Sequence, residues 1–319
     1  MEHAALSAPT QMDSEEILSQ VILVVSVASM VGSGWVIISF FVVPSLRTFR
    51  HQLILGLGIS EFLASSNVVI SAGLNASGME IWSPSLKAFC SFNGFMAQAF
   101  VVQTDYWILL IAACTYLILM DYAHASTWVQ NHRTALWCIP WGLSILWAVL
   151  GLVVVGYGYA GGWCWFSSDR VRLFVNFIPR WTIILAILCI YTRLCLLLYR
   201  SHKAISSDHE TTLQALPPHA HQWQRLDIND GPIQTSHSSI PLKKMSLQMM
   251  VYPTVYALIW ILPTFVRFYQ GMTGKRAPLA LEILEKVCIM SQGLVDAIIY
   301  GINERSWSGW RDQLHCLGG

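Results

Sequence analysis

The chain has 319 residues, of which 55% are hydrophobic and only 12% charged, with a net charge of +1 and 14 tryptophans. An ordinary soluble domain carries about 25% charged residues, so these few cannot clothe a soluble surface. A cytosolic enzyme is thereby disfavoured, and the absence of a basic excess argues against a nucleic-acid partner.

Spanning a bilayer takes about 20 mostly apolar residues. In chain order, such stretches fall at residues 21–43, 53–76, 91–120, 135–159, 173–199, 245–268 and 278–302. The first is too long for a signal h-region, and acidic Asp13, Glu15 and Glu16 precede it. The last is the least apolar, carrying Glu282, Glu285, Lys286 and Asp296. Residues 1–20 are read as an extracellular segment. Residues 200–244 form a polar third inner loop with Pro217-Pro218 and no apolar period, so it is expected to be irregular. Residues 303–319 form a tail in which Trp307, Trp310 and Leu314 lie on one face of a short amphipathic helix. The expected fold is all-α: one seven-helix membrane bundle without a second domain.

Orientation follows from lysine and arginine. Lys87, Arg170, Arg172, Lys275 and Arg276 lie on one side. Arg47, Arg50, Arg133, Arg200, Lys203, Arg225, Lys243, Lys244, Arg305 and Arg311 lie on the other, which is therefore cytoplasmic. The N-terminus is then outside and the C-terminus inside. Asn75-Ala76-Ser77 is an outer-side glycosylation sequon close to the membrane.

Charges in lipid are costly and mark functional candidates. Glu61 and Asp296 lie about 12 and 9 Å above the inner ends of their spans. At similar depth they can share a proton, a cation or water, which makes them a switch candidate. Pro253 and Pro263 flank Trp260 in the sixth span, so Trp260 with Pro263 is a hinge candidate. Asp105 sits near the middle of the third span. Arg180, Arg267 and Lys286 stand towards the outer face on three spans, a candidate pocket for an anionic ligand, and Asp105 and Trp260 complete the candidate ligand-binding set. Lys286 also has Glu282 one turn away as a ready partner. Cys90 and Cys164 both face the oxidising side and are expected to pair. No Cys/His cluster has metal spacing, and no metal or cofactor is expected.

Seven spans, an outer N-terminus and this cysteine pair resemble G-protein-coupled receptors. The closer resemblance is to the cyclic-AMP-receptor-like family of slime moulds and fungi. Gly162-Trp163-Cys164-Trp165 is similar to its outer loop, and Tyr252-Pro253 through Trp260-Ile261-Leu262-Pro263 to Arg267 is similar to its sixth helix. Residues 291–303, Ser291 to Asn303, resemble its seventh-helix signature and bring Tyr300 into the switch set. Residues 57–64 resemble its second helix, with Glu61 where receptors usually have Asp. Met120-Asp121-Tyr122-Ala123 lacks the arginine of the rhodopsin-like Asp-Arg-Tyr motif, and Asp296-Ala297 replaces Asn-Pro.

The resemblance implies a multi-pass plasma-membrane receptor, not an enzyme. It would sense an extracellular ligand, anionic or nutrient-like, and activate a heterotrimeric G protein by inner-side helix movement. Arg47, Arg50, Arg133, Arg193, Lys243 and Lys244 would line the G-protein contact, and a homodimer is compatible with the sequence. The alternative is a seven-helix transporter, which usually carries an internal repeat, or a retinal-binding protein using Lys286 and Asp105.

Overall fold

The computed structural model describes residues 12–79, 81, 83–120, 131–160, 163–166, 168–215 and 239–303. After Glu16 the first helix, α1 (Met12–Val42), carries no charge. A single 3-10 turn, Pro44–Leu46, comes next. Thr48 then caps α2 (Phe49–Ala76), its hydroxyl accepting from the His51 N–H. Gly78, at a φ of +80°, turns the chain. α3 (Lys87–Leu119) and α4 (Arg133–Val154) are joined through residues of which 121–130 lie outside the described set. Beyond α4, Gly156 at a φ of +78° lets the chain reverse. A two-stranded hairpin succeeds it, β1 (Gly158–Tyr159) antiparallel to β2 (Cys164–Trp165), with Tyr159 opposite Cys164.

A helical turn, Asp169–Arg172, and a π-helical turn, Leu173–Phe177, lead into α5 (Ile178–Ala215). The sixth crossing is α6 (Ser239–Ile259) and then α7 (Ile261–Thr273). The break at Trp260 has a direct cause: Pro263 has no N–H to give the carbonyl of Ile259. The seventh crossing is likewise divided, α8 (Leu279–Met290) and α9 (Gln292–Asn303), at Ser291.

The polarity of these helices is inside out. Val24, Val31, Phe41, Val153, Val154, Leu185 and Phe265 are exposed, whereas Ser26, Ser29, Ser33, Asn93, Gln98 and Gln103 are buried. Lipid is the solvent that accepts that arrangement. Among the described residues, six helices or helix pairs are apolar and long enough to cross a bilayer. The seventh, interrupted at Ser291, buries Glu282, Glu285, Lys286 and Asp296. α8 and α9 cover residues 279–303, about 37 Å of helix, which is enough to cross. α3 is the central strut, against α2, α4, α5, α6 and β2.

The polar 200–244 segment differs from its expected irregular form. α5 runs on to Ala215, and α6 begins at Ser239. Residues 201–215 contain helix formers and no proline until Pro217, so nothing stops a helix already under way. Residues 216–238, the tail 304–319 and the Asp121 motif lie outside the described residues.

Small residues let α1 meet α9 closely. A Cβ on Gly293 would stand 2.7 Å from Ser29 Oγ, 2.8 Å from Ser33 Oγ and 3.1 Å from Glu61 Cβ. Gly293→Ala should therefore cost about 1–3 kcal/mol by overpacking. Thermal unfolding of the purified variant checks this, and an unchanged midpoint would mean that the helices part freely there.

Candidate functional site

Three helices meet at one buried ion pair. α3 places Asp105 in the bundle, and α5 places Arg180 in its first turn, just after the π-helical turn. π-Turns often mark functional positions, because the extra residue re-aims the side chains beyond it. Arg180 Nη2 lies 2.8 Å from Asp105 Oδ2, and its Nε donates to Oδ1 at 3.0 Å and Oδ2 at 3.1 Å. Tyr256 of α6 donates its hydroxyl to Asp105 and accepts from Arg180 Nε at 3.2 Å. One turn on, Trp260 lies under the guanidinium, 3.5 Å from ring centroid to Cζ. Arg180 is 1% exposed and Asp105 4%, so each needs the other.

Towards the end of the bundle that carries the hairpin, a cavity opens above this knot. Its walls include Trp163, Trp165, Trp260, Val68, Ala97, Val101, Ile289 and Met290, and its polar lining includes Glu61, Thr104, Asp105 and Gln292. The hairpin forms the roof. Cys90 and Cys164 are disulfide-bonded, with Cα atoms 5.3 Å apart. Trp165 Nε1 donates to Gln98 Oε1 at 2.7 Å, and the Cys164 N–H to Asn93 Oδ1 at 3.3 Å. Asn93 in turn donates to Asn67 Oδ1 on α2 at 2.9 Å. Arg172 donates Nη2 to the Phe166 carbonyl at 2.7 Å and faces the Trp165 ring. The roof is thus tied to α2, α3 and the lead-in to α5.

Arg180, Arg267 and Lys286 do not converge as a three-cation pocket. Arg180 is held by Asp105. Arg267 Nη2 lies 3.0 Å from Glu285 Oε1, and its Nη1 donates to Gln270 at 2.9 Å. Lys286 does not join Glu282 one turn away; its ammonium lies 4.5 Å from the Trp163 ring centroid. Helical spacing alone did not decide these pairings, because partners from other helices competed.

Glu61 and Asp296 are brought together. They line one small cavity with Ser33 and Gly293, and Glu61 also lines the larger cavity above. Tyr300 is buried nearby, edge-on to Trp35 at 5.6 Å and to His51 at 6.2 Å. At the opposite end, Arg47, Arg133 and Arg193 are exposed. Arg50 is not: at 8% exposed it sits inside, within electrostatic reach of Tyr252 and Tyr300. The Thr48 cap puts Arg50 in the first turn of α2, on the face turned to the bundle. The side chains of Lys243 and Lys244 lie outside the described residues. Asn75 is half-buried in the last turn of α2.

Tyr256, Trp163 and Trp165 are site residues that the sequence did not assign to a ligand site, the two tryptophans having entered only through the outer-loop resemblance. A signal for Tyr256 was present, since it lies four residues before Trp260 on the same helical face.

The family model described as "G protein-coupled glucose receptor regulating Gpa2" matches residues 15–205, and its C-terminal counterpart matches residues 238–309. An ascaroside receptor of Arthrobotrys oligospora is 37% identical over 97% of this chain and 93% of its own length. The expected likeness to cyclic-AMP-receptor-like proteins is found too. Cyclic AMP receptor-like protein A of Dictyostelium discoideum is 20% identical, over 91% of this chain and 65% of its own. Among solved structures, squid rhodopsin superposes with a TM-score of 0.67 at 14% identity, covering 97% of this chain and 87% of that one. That likeness gives the fold, a seven-helix bundle.

Proposed function

Because the chain belongs to the family of G protein-coupled glucose receptors regulating Gpa2, we propose that a small extracellular molecule binds in its tryptophan-walled cavity and drives the sixth crossing to move. The chain is a multi-pass G-protein-coupled receptor of the plasma membrane. The disulfide-bonded roof faces outside, where an oxidising medium preserves it. A ligand with a hydroxylated ring suits the cavity: an apolar ring face lies on Trp163, Trp165 or Trp260, and hydroxyls reach Glu61, Thr104 and Gln292.

One observation carries the reading: Trp260 is at once a wall of the cavity, the stacking partner of Arg180 and the breaking point of the sixth crossing. A ligand that displaces its indole alters the support of the Asp105–Arg180–Tyr256 knot. It does so where Pro263 has left a carbonyl unbonded and the helix bends easily. α6 then swings at its far end, and the population shifts to a packing that admits the G protein. Exposed Arg47, Arg133 and Arg193, with Lys243 and Lys244 on the first turns of α6, form the contact.

The test is nucleotide exchange on a purified heterotrimer, with the receptor in nanodiscs and glucose, other sugars and glycolipids as trial ligands. Trp260→Ala should keep its fold, judged by thermal unfolding, yet lose at least about tenfold in ligand-stimulated exchange, the size of one lost aromatic contact. Full stimulation in Trp260→Ala would remove the cavity from the mechanism. Reversing Arg133 and Arg193 to Glu should lower exchange without changing ligand binding.

A further inference from the structure

The outer part of the seventh crossing holds a buried cation whose charge is poorly met. Lys286 is 2% exposed. Among the described residues its ammonium has no hydrogen bond and no ion pair; its contact is the Trp163 ring, 4.5 Å from the centroid. The charged side chains around it are Glu285, Glu282, Arg267 and Arg172. Glu285 is taken by Arg267 at 3.0 Å. Glu282, one turn away and 5% exposed, is not within ion-pair distance, and its Oε1 is itself unbonded. Arg172 is committed to the Phe166 carbonyl.

A buried ammonium with only a ring face beside it is far from satisfied. Its position says what would satisfy it. Trp163 is a wall of the large cavity, and Ile289 and Met290, one turn further along α8, are walls too. The ammonium therefore packs on Trp163, a wall of a cavity whose sides are mostly apolar, without lining the cavity itself. Arg180 and Arg267 each hold a carboxylate already, and Glu282 offsets one of the two remaining buried cations, Lys286 and Arg172, which leaves one positive charge. One charge suits a monoanion; a phosphate dianion asks for an arginine fork or several cations.

We propose that the cavity takes an amphiphilic monoanion, its apolar body among Trp163, Trp165, Trp260, Ile289 and Met290 and its charged oxygens bonded to Lys286. The proposal rests on the reading of this cavity as the ligand site, and it adds an anionic group to the ring-bearing ligand described for it. A free carboxylate ligand and the headgroup of an outer-leaflet anionic lipid share this chemistry.

The experiment uses the full chain in phosphatidylcholine nanodiscs, titrated with decanoate and with decanamide, empty nanodiscs serving as baseline. The two probes share a chain and differ in charge. Decanoate should bind about tenfold or more tighter than decanamide, as a charge-assisted hydrogen bond warrants. Lys286→Gln should erase that preference and leave decanamide unchanged, and Lys286→Arg should keep it. Ala97→Trp, which fills the cavity, should abolish binding of both probes. Equal binding of the two probes to the wild type, or a preference that survives Lys286→Gln, overturns the proposal. The cavity reading survives that result if Ala97→Trp still blocks both probes. Failure of both probes to bind the wild type also overturns the proposal, while the Trp260→Ala exchange assay judges the cavity independently. Repeating the titration in phosphatidylglycerol nanodiscs separates the sources. Phosphatidylglycerol that co-purifies with wild type and not with Lys286→Gln, and that suppresses the decanoate preference, makes a lipid headgroup the occupant. Preference unaffected by lipid makes it a free ligand.

Discussion

Asp105→Leu should destabilise the protein by about 3–5 kcal/mol, the cost of stranding one partner of a buried ion pair. Arg180 is 1% exposed and directs three hydrogen bonds to Asp105, so the guanidinium would keep only Tyr256 and the Trp260 face. Arg180→Met should cost a similar amount from the other side. The double variant Asp105→Leu/Arg180→Met should be much more stable than either single variant. An apolar pair of similar volume often replaces a buried ion pair at little cost. Unfolding of all four proteins in one detergent gives the coupling. Additive losses would show that the two residues do not act as a unit. The double variant also separates stability from signalling. It should fold yet fail to answer ligand, because Trp260 no longer carries a cation on its ring.

Cys90→Ser should remove about 2–5 kcal/mol, the usual cost of losing a native disulfide. The bridge joins residues 74 apart in sequence, so a long loop regains its freedom on reduction. The functional loss should exceed the loss of fold. β2 keeps its bonds to Gln98 and Asn93, so the helices persist, but Trp163 and Trp165 no longer hold fixed positions over the cavity. Ligand binding and thermal unfolding measured together check this. Unchanged ligand affinity in a folded Cys90→Ser protein would show that the hairpin contributes nothing to the site.

Much of the architecture was legible because lipid imposes a simple rule: an apolar stretch of the right length crosses. The cysteine pair was legible because its members fall at matching outer ends of the chain's path. The break in the sixth crossing was legible because proline acts locally, and the helix does break at Trp260. Pairings between helices were not. Asp105 and Arg180 are 75 residues apart, and Arg267 and Glu285 are 18 apart. Nothing in a linear pattern says which buried acid meets which buried base. The one pairing that helical spacing did offer, Glu282 with Lys286, is the one that did not form. Arg50 shows the same limit from another side. The excess of cations at that end of the bundle accounts for its presence there, while its burial depends on where Thr48 starts the helix. Glu61 and Asp296 were placed at one depth by counting residues; that their helices touch depends on Gly293, whose lack of a side chain closes the gap.

The length of α5 sets a mechanical gain on the receptor. At 1.5 Å per residue, its 38 residues make a rod of about 57 Å. A bilayer core takes up about 30 Å of such a rod, leaving nearly half of it standing clear. Arg180 pins the rod close to one end. A tilt of about 5° about that pin would move Ala215, about 52 Å away, through about 5 Å. The fulcrum would scarcely shift, so the ion pair can stay bonded while the tip sweeps the width of a side chain. A tilt small enough to leave the ion pair bonded is thus large at the far tip of α5.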